Sequence, residues 1–418
     1  MHHFHYKKND LFGEEVLLAK VAAEVGTPCY VYSYATLSRH FRVFEEAFQD
    51  IPHLICFAMK ANSNLAVLRS LIKLGAGVDI VSQGELFRAL TAGAPPNRIV
   101  YSGVGKTKEE MAYALRSGIL QFNVESEAEL LALDEVAREL NRKAPVSIRV
   151  NPNINPKTHP YISTGLKKSK FGVDWAQGLA LYESSKKLTG IRIQGVSCHI
   201  GSQITQLAPF KEALKKVSEF VHTLRKKGFD IRHVDLGGGL GIPYKDETPP
   251  APRQYGAALK KGLKDLDCKI FFEPGRVIIG NAGILLTKVL YKKDQGKKRF
   301  VIVDGAMNDL IRPALYGSFH QIWPLRKKKG RTERADIVGP ICESGDFFAE
   351  DRPLPAVESG DLLAIMSAGA YGFVMASTYN SRPLIPEVLV HGNEYHVIRK
   401  RGQLKDLLQG EHVPKFLV

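Results

Sequence analysis

The sequence predicts an α/β fold in which a (β/α)8 TIM barrel is followed by an all-β domain. Eight short apolar runs alternate with stretches of helical periodicity over roughly 240 residues, which matches such a barrel in count and size. Beyond about Asn281 hairpin signals replace the helical periodicity. We therefore expect residues 1–35 to join the β domain, residues 36–281 to form the barrel and residues 282–418 to form the β domain. A doubly wound open sheet is the alternative for the first part, because it shows the same alternation.

The predicted barrel strands are apolar and β-branched, as expected for a parallel sheet that is covered on both faces. In chain order they are Leu54–Met59, Val78–Val81, Arg98–Tyr101, Leu120–Val124, Val146–Val150, Ile193–Cys198, His233–Leu236 and Lys269–Phe272. The spacing of Phe41, Phe44 and Phe48 predicts a helix that begins at Leu37. The longest connection, 151–172, is rich in proline, and we expect it to close over substrate as a lid.

The β domain is predicted from two hairpins. Ile284–Tyr291 and Arg299–Val303 flank a turn at Asp294–Gly296, and a second hairpin is predicted within 387–399. Tyr30–Ser33 has the alternation of a strand and precedes the barrel. We therefore expect the β domain to use both ends of the chain.

The composition is that of a globular protein, with 44% hydrophobic and 24% charged residues. No apolar run approaches the roughly 20 residues that span a bilayer, and the start lacks a secretory signal, so we expect a cytoplasmic protein with no membrane partner. Five scattered cysteines without a CxxC pair fit a reducing compartment and exclude a zinc ribbon or a disulfide framework. His2, His3 and His5 lie in a terminus that we expect to be frayed, so no metal site is predicted.

The formal net charge of +15 raises the question of nucleic-acid binding. The basic residues come in short runs without interleaved aromatic residues, and no recognised nucleic-acid motif accompanies them. We expect them to form solvated surface, and we expect no nucleic-acid partner. Anionic small substrates would gain some electrostatic steering from this charge.

Lys60 follows the first predicted strand and is the centre of the predicted catalytic site. Barrel enzymes place their catalytic groups at the carboxyl ends of the strands. An amine in a mostly apolar cleft is pushed towards its neutral form, which can form a Schiff base with an aldehyde. Asn62 or Ser63 is expected to cap a helix that begins near Leu65. Taken alone, Lys60 also fits a surface lysine that ends a strand.

Further polar segments follow other predicted strands and would share the same rim. Gly237–Gly239 can bring backbone N–H groups close to a phosphate, although a simple tight turn has the same pattern. Arg276 and Ser202 offer further donors to an anion. Glu273 suits a carboxylate that keeps a pyridine ring protonated, or one that forms a salt bridge to a neighbouring strand. His199 fits a ring-stacking residue and a core histidine equally well.

Two segments of the β domain carry candidate chemistry. Cys342 lies among acidic residues and glycine in Cys342–Asp346. Its thiol could protonate a carbanion, although most lone cysteines are inert. Arg312 and Tyr316 are four residues apart, so they can share a helical face and bind a carboxylate.

Six motifs, in order along nearly the whole chain, resemble those of the diaminopimelate decarboxylase family, which belongs to the fold-type III (alanine racemase-like) pyridoxal-phosphate decarboxylases. They are Phe57–Asn62, His199–Gln203, Gly237–Gly239, Glu273–Arg276, Cys342–Asp346 and Ala370–Gly372. The resemblance implies pyridoxal 5'-phosphate as the cofactor and an amino acid as the substrate. It implies decarboxylation of meso-2,6-diaminopimelate to L-lysine and CO2, the final step of lysine biosynthesis, in a homodimer with shared active sites.

The resemblance also implies roles for individual residues. Lys60 would carry the cofactor, His199 would pack on its ring and Glu273 would contact the pyridine nitrogen. Cys342 would be the proton donor and would reach the site from the partner subunit. The other implied cofactor contacts are Ser202, Gly239, Pro274, Gly275, Arg276 and Tyr371. The implied substrate contacts are Arg276, Arg312, Tyr316, Glu343 and Tyr371.

Two alternative functions remain open. A related fold-type III decarboxylase could act on ornithine, arginine or carboxynorspermidine. Glu343 discriminates here, because the ornithine enzymes resemble this motif but carry aspartate after the cysteine. A non-catalytic cofactor-binding relative could instead regulate a true decarboxylase, and the intact Lys60, Glu273 and Cys342 argue against that.

Overall fold

The computed structural model describes residues 2–156, 164–165, 169–328 and 330–417. The chain forms two compact units, one made of residues up to 36 together with those from 280 onward, and the other made of residues 37–279. The predicted lid includes 157–163 and 166–168, which lie outside the described residues. The lid therefore stays a prediction.

The N-terminal residues form a small antiparallel sheet, a helix and one strand of a larger sheet. In chain order these elements are β1 (Phe4–Lys7), β2 (Asp10–Gly13), β3 (Val16–Leu17), α1 (Leu18–Val25) and β4 (Cys29–Ser33). His5 pairs with Phe12 in the β1–β2 ladder, and the His3 N–H donates to Thr36 Oγ1 at 2.9 Å. The prediction of a frayed terminus is therefore wrong, because Phe4 anchors it in the core of its unit.

Eight parallel strands form a closed barrel. They are β5 (His53–Ala58), β6 (Gly77–Ile80), β7 (Ile99–Tyr101), β8 (Gln121–Val124), β9 (Ala144–Arg149), β10 (Ile191–Ser197), β11 (His233–Asp235) and β12 (Lys269–Phe272). β12 pairs with β5, with Phe271 opposite Leu54, so the first and last strands close the cylinder. The predicted barrel is confirmed, and the doubly wound open sheet is ruled out.

Helices precede, connect and follow the barrel strands. α2 (Tyr34–Glu46) precedes β5, and α10 (Arg276–Ile279) follows β12. The connecting helices are α3 (Leu65–Lys73), α4 (Gln83–Thr91), α5 (Lys108–Ser117), α6 (Glu127–Glu139), α7 (Trp175–Ser185), α8 (Ala208–Lys226) and α9 (Pro252–Asp265). α8 buries an apolar stripe that includes Leu214, Val217 and Phe220. α2 begins three residues before the predicted Leu37, and it ends before Phe48, whose ring stacks on Phe272.

The barrel interior contains an apolar cluster and a group of polar side chains. Leu54, Cys56, Val100 and Phe271 form the buried cluster. Side chains two residues apart share one face of a strand. Ser102 lies two residues after Val100, and Glu273 lies two residues after Phe271. Both side chains therefore face the barrel interior, and both residues are buried. Other buried polar residues of the barrel strands include Asp79 on β6, Gln121 and Asn123 on β8, and Asp235 on β11.

The other unit is built around a mixed sheet. Its further elements are β13 (Gly283–Gln295), β14 (Lys298–Val303), α11 (Arg312–Tyr316), β15 (Ile322–Pro324), β16 (Thr332–Val338), β17 (Phe347–Pro355), β18 (Leu362–Ile365), β19 (Glu387–His391) and β20 (Glu394–Arg399). The strand order is β17-β16-β14-β13-β4-β19-β20, and β18 pairs with β13 and β15. β4 is antiparallel to β13 and parallel to β19.

Both predicted hairpins form in this unit, with one turn displaced. Gln295 pairs with Lys298, so the first turn is Gly296-Lys297 rather than Asp294–Gly296. Gly296 has φ +61, a conformation that favours glycine. The segment is also not purely β, because it contains the five-residue helix α11.

Within the described part of the chain, no helix is both long and apolar enough to cross a membrane. In the same residues, no group of three or more histidine, cysteine, aspartate or glutamate side chains could hold a metal ion.

Candidate active site

Lys60 lies at the carboxyl edge of the barrel, in a 3-10 turn (Met59–Ala61) that directly follows β5. Its Nζ makes an ion pair of 2.8 Å with Oδ2 of Asp79 on β6. The Asp79 side chain is fully buried, whereas 37% of the Lys60 side chain is exposed. A buried carboxylate needs a close partner of opposite charge. Asp79 therefore fixes an amine that solvent and ligands can still reach.

The turn that carries Lys60 is held by its neighbours. Asn64 Oδ1 accepts from the Ala66 N–H at 2.9 Å and caps α3. The predicted cap at Asn62 or Ser63 is therefore wrong. Asn62 Oδ1 instead accepts from the Asn64 N–H at 3.1 Å, which orders the segment before the helix.

The glycine segment Gly237–Gly239 follows β11 and packs tightly against the loop after β10. Gly237 and Gly239 have φ values of +64 and +114. A Cβ at Gly237 would lie 2.5 Å from His199 Nδ1, and one at Gly239 would lie 2.5 Å from the Gly201 carbonyl oxygen. This close approach of two backbones requires glycine.

His199 is held as a neutral ring. The Gly238 N–H donates to His199 Nδ1 at 3.1 Å, so the ring proton is on Nε2. Burial lowers the pKa of His199 well below its usual value, and the charges of Arg149 and Lys60 lower it further. A neutral, fixed imidazole suits packing on an aromatic ring better than proton transfer.

Arg276 is held ready to bind an anion. Its Nη1 donates to Tyr244 Oη at 2.6 Å, and its Nη2 donates to Ser202 Oγ at 3.2 Å. Gln203 exchanges two hydrogen bonds with the backbone of Ile242, at 2.7 and 3.2 Å, which ties the Ser202 loop to the segment after β11. A guanidinium and a hydroxyl beside a glycine-rich backbone are suitable donors for a phosphate.

Glu273 directly follows β12 and is buried. Ser102 Oγ donates to its Oε1 at 3.2 Å, and Asn123 Nδ2 lies 3.4 Å from the same oxygen. Burial raises the pKa of Glu273 well above its usual value, the charges of Asp235 and Asp79 raise it further, and Lys60 lowers it. The environment of Glu273 therefore favours the neutral, protonated carboxyl group.

Arg312 and Tyr316 share α11, in the other unit. The buried Arg312 guanidinium donates through Nη2 to Ser318 Oγ at 3.2 Å and through Nη1 to His320 Nε2 at 3.1 Å. His320 Nδ1 donates to the Met366 carbonyl at 2.8 Å, which leaves Nε2 as the acceptor. The guanidinium is thus fixed in one orientation.

Cys342 and Glu343 lie in a tight, exposed turn of the same unit. Asp346 Oδ2 accepts from the Ile341 N–H at 2.7 Å, and the Cys342 N–H donates to Asn380 Oδ1 at 2.9 Å. A hydrogen bond to Glu343 raises the pKa of the neighbouring Tyr379 hydroxyl. The turn therefore presents a thiol and a carboxylate side by side.

The structure brings one set of predicted residues together at the barrel edge, namely Lys60, His199, Ser202, Gly239, Glu273, Pro274, Gly275 and Arg276. The remaining predicted residues, Arg312, Tyr316, Cys342, Glu343 and Tyr371, belong to the other unit. Tyr371 has φ +55, which is uncommon for a residue with a side chain and is typical of functional sites.

Four residues of the site were missed from the sequence: Asp79, Ser102, Asn123 and Tyr244. Asp79 had a signal, because a carboxylate inside the apolar run Gly77–Val81 needs a partner. Ser102 and Asn123 had weaker sequence signals, because each is a polar residue at the end of a predicted strand. Tyr244 had none, since it lies in the irregular segment between β11 and α9.

The residues of the barrel edge fit pyridoxal phosphate. This cofactor needs an amine for its aldehyde, a flat contact for its ring, an acid for its ring nitrogen and donors for its phosphate. Lys60, His199 and Glu273 supply the first three, and the cradle at Gly237–Gly239 leaves no room for side chains beside the backbone donors. Asp79 Oδ1 is buried and has no hydrogen-bond partner among the described residues.

Comparisons with known proteins agree with this chemistry. Residues 34–280 match the family model described as pyridoxal-dependent decarboxylase, pyridoxal binding domain. The diaminopimelate decarboxylases of Vibrio cholerae and Pseudomonas aeruginosa are 50% and 52% identical over 415 and 408 residues, which are 99% and 98% of both chains. The crystal structure of diaminopimelate decarboxylase from Helicobacter pylori complexed with L-lysine has a TM-score of 0.91 and 45% identity, and the match covers 94% of this chain and 98% of that one.

The family model matches more than half of the chain, and the relatives match nearly all of it. Pyridoxal phosphate is therefore the cofactor, and the protein is an enzyme that uses it for decarboxylation. The chain belongs to the diaminopimelate decarboxylase family of pyridoxal-dependent decarboxylases.

Proposed function

We propose that this protein removes CO2 from meso-2,6-diaminopimelate to give L-lysine, as the final step of lysine biosynthesis. The relatives that are about half identical over nearly the whole chain carry the name diaminopimelate decarboxylase. The observation that carries the proposal is the barrel edge itself. There Lys60 is paired with the buried Asp79, beside a glycine cradle and the buried Glu273, whose pKa burial raises.

Each group at the barrel edge has a distinct task in this proposal. Bound pyridoxal phosphate supplies the electron sink that accepts the bonding electrons as CO2 leaves the α-carbon. Lys60 would hold the cofactor through its side-chain amine. Glu273 holds a proton for the ring nitrogen, and His199 packs on the ring. Ser202, Arg276 and the backbone of Gly239, Pro274 and Gly275 bind the phosphate, together with Tyr371.

The other unit would supply the substrate contacts and the final proton. Arg312, Tyr316, Glu343 and Tyr371, together with Arg276, are proposed to bind the substrate. The arginines suit its carboxylates, and Glu343 suits the distant ammonium group. Cys342 is proposed to protonate the α-carbon from the partner subunit of a homodimer. Five free cysteines fit the cytoplasm as the compartment.

The direct test is to assay the purified protein, loaded with pyridoxal phosphate, for CO2 and L-lysine from meso-diaminopimelate. Borohydride reduction and peptide mapping should locate the cofactor on Lys60. Lys60→Ala should abolish both labelling and turnover. An active protein whose cofactor is attached elsewhere would contradict the assignment of Lys60.

Ornithine serves as the comparison substrate, because the longer Glu343 side chain is the feature that separates this motif from the ornithine enzymes. We expect Glu343→Asp to lower kcat/KM for meso-diaminopimelate by about tenfold or more, since a lost charge-assisted contact is worth ~1.5–3 kcal/mol. Ornithine turnover equal to or above that of meso-diaminopimelate in the unmutated protein would overturn the substrate assignment.

A further inference from the structure

A second buried carboxyl group lies beside Glu273 and has no role in the scheme above. Asp235 ends β11, the strand next to β12, and only 1% of its surface is exposed. Its Oδ1 accepts from the Gly237 N–H at 2.9 Å, and its Oδ2 accepts from Asn123 Nδ2 at the same distance. A buried carboxylate of this kind is costly unless hydrogen bonds or a partner of opposite charge compensate for the lost water.

Asn123 joins the two carboxyl groups. Its Nδ2 lies 2.9 Å from Asp235 Oδ2, 3.1 Å from Ser102 Oγ and 3.4 Å from Glu273 Oε1. Gln121 Nε2 donates to Asn123 Oδ1 at 2.8 Å, which fixes the orientation of the amide so that its N–H groups face the carboxyl groups. Asp235 and Glu273 are thus held together by one oriented amide.

Burial raises the pKa of both carboxyl groups, and the charge of Asp235 raises that of Glu273 further. Asp235 receives donors from Gly237 and Asn123 and is the better stabilised anion, so a proton on this pair is favoured at Glu273. The charged and titratable groups that face Glu273 are Lys60 and Cys56 from β5 and its turn, Asp79 from β6 and Asp235 from β11. The two anions favour this proton, and the Lys60 cation opposes it.

We propose that Asp235 is a positioning residue for the cofactor: it acts through Asn123 to fix the Glu273 carboxyl group and keeps a proton available for the pyridine nitrogen. This inference rests on the proposed function. A second anion near the ring favours the protonated pyridine, and the protonated ring is the stronger electron sink. Asp235 itself makes no contact with substrate in this scheme.

Asp235→Asn removes the charge and keeps an oxygen that can accept from the Gly237 N–H, although its NH2 group replaces the oxygen that accepts from Asn123. The matched control is Asp134→Asn on α6, which is also buried and also accepts from a backbone N–H, that of Gly190, at 2.6 Å. Asn123→Ala is the second variant, which removes the amide bridge and leaves both carboxyl groups in place.

The probes are pyridoxal phosphate and its 1-deaza analogue, in which C–H replaces the ring nitrogen. Affinity for both is measured by absorbance titration of the cofactor-free full-length chain. We expect Asp235→Asn to reduce the preference for pyridoxal phosphate over the analogue by about tenfold, the effect of one pKa unit. We expect Asn123→Ala to reduce it by roughly two- to tenfold, and Asp134→Asn to leave it unchanged.

The results that would overturn this inference differ from the result that would overturn the proposed function. An equal loss of affinity for both probes in Asp235→Asn would show a merely structural role and overturn the inference, and so would an unchanged preference. If Asp235→Asn does not fold, an unchanged preference for pyridoxal phosphate in Asn123→Ala would also overturn the inference. Failure of the unmutated chain to bind pyridoxal phosphate would remove the proposed function itself.

Discussion

At the residue scale, the pair formed by Lys60 and Asp79 controls how the catalytic amine is presented. We expect Asp79→Asn to slow incorporation of pyridoxal phosphate at Lys60 by about tenfold or more, since a small displacement of a reacting group costs rates of this order. Incorporation is followed by cofactor absorbance and by borohydride labelling. The buried Asp134→Asn again serves as the control. A labelling rate like that of the unmutated protein would show that Asp79 is not needed to orient the amine.

A second prediction at this scale concerns the close approach at Gly237. Gly237→Ala places a methyl group 2.5 Å from His199 Nδ1 and also imposes a positive φ on alanine. Gly228→Ala is the matched control, because Gly228 has φ +84 and nothing within 4 Å of an added Cβ. Both variants should lose on the order of 1 kcal/mol of unfolding free energy from backbone strain. Only Gly237→Ala should also bind pyridoxal phosphate less tightly, and equal affinities would contradict the cradle.

Some site residues can be predicted from the sequence and others cannot, and the difference has a physical reason. Lys60, Glu273 and Arg276 stand out because a charged residue at the end of an apolar strand needs an explanation. Asp79 has the same signal but lies within a run that is otherwise a good strand. Asn123 contributes through a contact with a strand distant in sequence, and no local pattern reports such a contact.

At the element scale, the segment between β14 and α11 contains a carboxyl group that makes stability depend on pH. Burial raises the pKa of Asp309 to about 7 from its ordinary value of 3.8. The folded state therefore binds an extra proton between these two values, and stability falls as pH rises through this window. Asp309→Asn should be more stable than the unmutated chain above pH 7, by on the order of 2 kcal/mol.

Chemical denaturation from about pH 5 to 8 measures this effect for the cofactor-free chain. The exposed Asp246→Asn should keep the pH dependence of the unmutated chain. If Asp309→Asn loses stability with rising pH as steeply as the unmutated chain, Asp309 is not the group responsible.

The elements differ in how well the sequence predicts them. Every barrel strand lies within two residues of its predicted bounds, because a parallel strand buried on both faces is a continuous apolar run. β16 and β17 were missed, since charged residues interrupt both Thr332–Val338 and Phe347–Pro355. Pairing with neighbouring strands, and not amino-acid composition, places β16 and β17 in the sheet.

At the scale of the whole molecule, the proposed homodimer with shared sites makes a quantitative prediction. Lys60→Ala and Cys342→Ala chains should each be nearly inactive. If each site combines Lys60 of one subunit with Cys342 of the other, random reassociation restores one intact site in half of the dimers, which is about one quarter of the full activity. A mixture that stays as inactive as its components would show that each subunit builds its own site.

The pairing of β12 with β5 has a consequence for synthesis of the protein. The Ala58 N–H donates to the Pro274 carbonyl at 3.1 Å, so the lysine that opens the barrel sequence and the acid that completes it become neighbours only when the cylinder shuts. A nascent polypeptide that still lacks its eighth strand has an amine for the vitamin B6 aldehyde but no acid for its ring. We therefore expect the complete cofactor site at the barrel edge to form only after β12 has left the ribosome.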